Sequence, residues 1–125
     1  MKTFNDLSRA LKMQYGEKKD KATHDFDIRQ ARLSIDIERL RNERSYWIAM
    51  IKKVDNDVDG LKNCLDKINE YSERIGDIEM QKCELDHERK TTINILKREY
   101  YESLAALEKE WHSEIDEYGK EVAIL

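Results

Sequence analysis

Eight apolar residues recur at seven-residue intervals without a gap: Phe26, Leu33, Leu40, Trp47, Val54, Leu61, Ile68 and Ile75. Seven residues are two turns of a supercoiled α-helix, so all eight share one narrow seam. The positions four after each read Gln30, Ile37, Arg44, Ile51, Val58, Leu65, Ser72 and Glu79. The stripe is therefore densest from Ile37 to Ile68, with Ile51, Val58 and Leu65 among its members. A stripe this narrow cannot fold onto its own helix and must meet another, which makes these residues a candidate oligomerisation seam. Polar members such as Arg44 set register and partner number more often than they carry chemistry.

The pattern changes at both ends. Thr3 is placed to cap a helix whose stripe is Phe4, Leu7 and Leu11. Projecting the main seam back from Phe26 lands on Lys19 and Lys12, and Gly16 with the charged run 17–21 interrupts the pattern. These features predict a short N-terminal helix or arm over 1–19, separate from a coiled-coil domain over 20–125. Within that domain the seam occupies 26–75 and residues 79–92 are the most polar. Residues 93–125 carry a broader, more aromatic seam of Tyr101, Leu104, Trp111, Ile115, Tyr118, Val122 and Leu125. That breadth marks the C-terminal end as a candidate docking surface for a partner.

Two topologies fit this pattern. In one, Gly76 ends a helix and Asp77 caps the next, giving a hairpin with arms of similar length. In the other, the helix continues as a rod. Charge favours antiparallel packing, either of the two halves of one chain or of two chains, and so leaves both topologies open. Residues 1–54 carry 13 Lys/Arg against 8 Asp/Glu, or +5, and residues 55–125 carry 10 against 19, or −9. Opposite halves laid side by side attract, although salt screens the effect over about 10 Å.

Composition narrows the class. The 125 residues include no Pro and four Gly; 40% are charged, and mean hydropathy is −0.88. This is the profile of long exposed helices, and the fold class expected is an all-α, elongated coiled coil. No stretch is apolar enough to span a bilayer, and the start of the chain lacks a signal-like apolar run. Cys64 and Cys83 make no disulfide framework, which points to a reducing, intracellular and cytoplasmic setting.

Candidate chemistry is sparse. Asp55-Asn56-Asp57-Val58-Asp59-Gly60, followed by Asp66, resembles the first half of an EF-hand calcium loop, with donors Asp55, Asp57 and Asp59 and a closing Asp66. The stretch departs from that loop at Asp66, shorter than the usual Glu, and at Lys62, where an apolar residue is usual. Helical phase also continues through it from Val54 to Leu65. Cys83 and His87 lie one turn apart and could meet a second pair around zinc, but a lone Cys-x3-His is common by chance. The basic residues Arg39, Arg41, Arg44, Lys52 and Lys53 are interrupted by Glu38 and Glu43, which disfavours nucleic acid. There is no phosphate loop, nucleophile–base set or paired-carboxylate cleft. The expectation is a non-enzymatic assembly subunit without a cofactor: a scaffold, spacer or adaptor associating with copies of itself or with other coiled-coil subunits. Two alternatives stand beside it, a small helical regulator that binds and blocks a folded partner, and a calcium-responsive helix pair built on 55–66.

Overall fold

The computed structural model describes the backbone of residues 3–124 and the side chains of residues 3–113. Two long helices account for nearly all of it: α1 (Phe4–Met50) and α2 (Val58–Ile124). A 3-10 turn over Ile51–Val54 extends the end of α1, and residues 55–57 reverse the chain. The all-α hairpin architecture follows the helical patterning, but its turn is not at Gly76. Gly76 lies inside α2, exposed, with no atom within 4 Å of where a Cβ would stand. The break between α1 and α2 also excludes the continuous rod.

Local chemistry explains each end. Thr3 and Asp6 form a reciprocal cap at the start of α1: the Asp6 amide donates to Thr3 Oγ1 at 3.2 Å and the Thr3 amide to Asp6 Oδ2 at 3.1 Å. The Leu7 amide donates to the Thr3 carbonyl at 3.1 Å. The start of α2 depends on Asp57. Its Oδ1 accepts from the Gly60 amide at 3.1 Å, and its carbonyl accepts from the Leu61 amide at 2.8 Å. The Asp57 amide in turn donates to the Val54 carbonyl at 2.9 Å, closing the turn. Asp59 in the first turn of α2 and Lys52 and Lys53 at the end of the 3-10 turn both complement the helix dipoles.

Gly60 is needed here for space. No described glycine has a positive φ. A Cβ on Gly60 would stand 2.7 Å from Asp57 Oδ2 and 3.2 Å from the Val54 Cβ. A side chain here would have to displace the Asp57 carboxylate that caps α2 and shift Val54 by a few tenths of an ångström.

α1 runs unbroken through Gly16, so the N-terminal segment is not a separate helix. Its inward positions explain why the projected seam misses it. Phe4, Tyr15, Phe26 and Ile37 are eleven residues apart, and all are buried or half-buried. Eleven residues are close to three whole turns of a straight helix, and seven fall short of two, so a seven-residue projection drifts where an eleven-residue one returns.

The chain divides into two compact units, one of residues 25–88 and one of residues 1–24 with 89–125. In the 25–88 unit, Ile37, Leu40 and Ile75 form the core, with Tyr71 and Ile78 packed against it. Phe26, Cys64 and Leu85 are also buried there. In the other unit, Phe4 meets Trp111 at 6.0 Å between ring centroids, and Tyr15 stacks on Tyr100 at 5.1 Å. Eleven residues forward on α1 match eleven back on α2, so the two segments run antiparallel.

Candidate interaction surface

Most of the seam finds its partner inside the chain. Phe26, Ile37, Leu40 and Ile75 are buried; Leu33, Trp47, Ile51, Val54, Leu61 and Ile68 are half-buried. Val58 and Leu65, expected on the seam, are instead 81% and 47% exposed. The break at 55–57 resets the helical phase, so the inward stripe of α2 runs through Leu61, Cys64, Ile68, Tyr71, Ile75, Ile78 and Leu85. Cys64 takes the inward place expected of Leu65.

The polar seam members bond across the 25–88 unit. Gln30 Nε2 donates to the Lys82 carbonyl at 3.0 Å, and Arg44 Nη1 donates to Ser72 Oγ at 3.3 Å. Arg41 and Glu79 are paired at 3.1 Å, and Arg29 and Glu88 at 3.8 Å. These groups are part-buried or exposed, so each bond contributes well under the worth of a core residue. Their value is registration, because a slip of one turn would separate all of them. The basic cluster is occupied the same way: Arg39 pairs with Asp36 at 3.8 Å, and Arg41 and Arg44 reach across to α2.

The calcium-like stretch has a structural job. Asp57 Oδ1 is the helix cap, and the chain is helical from Val58. Asp59 and Asp66 therefore stand two turns apart, about 10 Å along the axis, too far to share an ion whose ligands lie ~2.4 Å away. Among the described residues, no group of three or more His, Cys, Asp or Glu side chains is arranged to hold a metal ion. Cys83 is exposed and Cys64 buried, both as free thiols.

The unit of residues 1–24 with 89–125 is less closed. None of its described side chains is buried. Leu104 and Trp111 are half-buried, and Tyr101 is exposed; Ile115, Tyr118, Val122 and Leu125 lie outside the described side chains. An open groove of about 480 Å³ runs between the two segments, floored by Leu11, Tyr15, Leu96 and Tyr100. On the α1 side of this groove the sequence stripe includes Leu11 but omits Tyr15. The signal was the eleven-residue spacing that puts Phe4 and Tyr15 in line with Phe26.

No helix among the described residues is long and apolar enough to cross a membrane. Comparison with protein-family models, with curated proteins and with solved structures finds no match to this chain.

Proposed function

We propose that this chain is a non-enzymatic assembly subunit that works by packing the faces its own two helices leave open against other helices. The observation that carries the reading is how little the chain buries by itself. Six apolar side chains are buried among the described residues, all in the 25–88 unit. Large apolar side chains such as Ile35, Tyr46, Met80 and Tyr101 are more than half exposed. The accessible surface is 10060 Å² for 14.9 kDa, against about 7000 Å² for an ordinary folded monomer of that mass. That excess of some 3000 Å² per chain is larger than the roughly 1000–2500 Å² that each partner of an obligate interface covers. With so little burial, the entropy of ordering the chain is poorly offset without a partner.

The test is thermal unfolding followed by circular dichroism across about a hundredfold range of concentration, together with the mass in solution. Self-assembly raises the melting temperature with concentration. A dilute chain that is weakly helical at every concentration, and orders only with an unlike partner, fits the same reading with a different companion. A monomer that unfolds cooperatively at a concentration-independent temperature, with a stability above about 5 kcal/mol, contradicts it, because such a chain needs no other helix.

A further inference from the structure

We propose that the groove of the 1–24 and 89–125 unit is the seat of a second copy of the same unit, turned over about a two-fold axis running along the helices. The inference rests on the assembly reading above and names the surface and its occupant. The floor of the groove is apolar, and its two rims carry opposite charge. Lys18 stands on the α1 rim, and Glu99 and Glu102 stand on the α2 rim. Glu102 has an ion partner one turn away, Arg98 at 3.9 Å. Lys18 and Glu99 have no salt-bridge partner among the described residues.

A closed dimer uses the same patch on both copies, so the patch must complement itself. A groove with one basic and one acidic rim does so under one rotation. An axis along the helices lays each α1 over the partner's α2 and runs them antiparallel. Axial levels then decide whether the charges meet. Tyr15 is level with Tyr100, as their stacking shows. Lys18 is three residues beyond Tyr15, and Glu99 is one residue before Tyr100 on the opposite strand of the pair. The two charges therefore differ in level by two residues, about 3 Å. Each Lys18 arrives over the other copy's Glu99, and the contact occurs twice by symmetry. An axis across the helices would instead set Lys18 over α1, which is basic in this segment: Arg9, Lys12, Lys18, Lys19 and Lys21 against Asp6, Glu17 and Asp20. Ala106, also in the groove, leaves room for a close approach.

The experiment is sedimentation equilibrium of the full chain and its variants at low salt, with helicity recorded for each. Lys18→Glu and Glu99→Lys should each weaken the dimer about tenfold, and the double reversal should restore it to within a few-fold of the original. Restoration excludes misfolding as the cause. Ala106→Trp, which fills the groove, should abolish the dimer, whereas Ile35→Glu, outside the groove, should leave it intact. A dimer indifferent to the groove variants but broken by Ile35→Glu would overturn the inference while leaving the assembly reading in place. A chain that stays monomeric, yet gains helicity with an unlike partner, would do the same.

Discussion

The two helical pairs of this molecule share a topology and differ in how they close. The 25–88 pair has a tight turn, an aliphatic centre at Ile37, Leu40 and Ile75, and polar bonds across the seam from Gln30, Arg41 and Arg44. The pair formed by 1–24 with 89–113 has no turn of its own and no buried described side chain. It meets through rings, Phe4 on Trp111 and Tyr15 on Tyr100. Aliphatic side chains of similar size interdigitate and expel water from between two helices. In the other pair the rings meet at centroid distances of 5.1 and 6.0 Å, and a groove lies open beside Tyr15 and Tyr100. One pair thus closes on itself, and the other leaves a groove open.

The contrast is sharpest in core substitutions. Leu40, 1% exposed, should cost about 3 kcal/mol when replaced by Ala, because a filled site becomes a cavity. Leu96→Ala in the open pair should cost about 1 kcal/mol in dilute conditions, since the site is already half in water. Urea denaturation of the two variants checks this, and equal losses would mean that the pairs do not differ.

A smaller effect tests where the chain turns. Gly60→Ala should destabilise by about 1 kcal/mol, by pushing Asp57 out of its capping position. Gly76→Ala should stabilise by roughly 0.5–1 kcal/mol, since it adds a better helix former in open space. The opposite signs are the diagnostic. Were the turn at Gly76, its replacement would be the damaging one.

The smallest expected effect concerns registration. Arg44→Ala should cost about 0.5 kcal/mol, the worth of one partly exposed hydrogen bond to Ser72. A double-mutant cycle with Ser72→Ala measures the coupling directly, and zero coupling would remove Arg44 from the register-setting set.

These features were unequally legible in the amino-acid sequence. The helical class and the inward face from Phe26 in α1 to Val54 in the 3-10 turn follow from spacing alone. The turn does not, because Val54, Val58, Leu61 and Leu65 keep an apolar rhythm through it. Two signals mark its place: the charge balance changes sign at residue 54, and Asp57 with Gly60 is a helix cap with the space it needs. The calcium-loop resemblance arises from the same residues, since oxygen donors beside a glycine serve ions and helix starts alike. Missing that break misplaces Val58 and Leu65, which a three-residue interruption turns outward. The open groove was harder still. Its floor depends on which α2 residues lie level with Leu11 and Tyr15, and that follows from the position of the turn.

Hydrogen exchange, followed residue by residue at low and high protein concentration, tests the central contrast most directly. The account predicts that backbone amides in the middle of the 25–88 helices stay protected on dilution, while those around Tyr15 and Tyr100 are protected only when the chain is concentrated enough to associate. Uniform protection of both pairs in the dilute chain would contradict it.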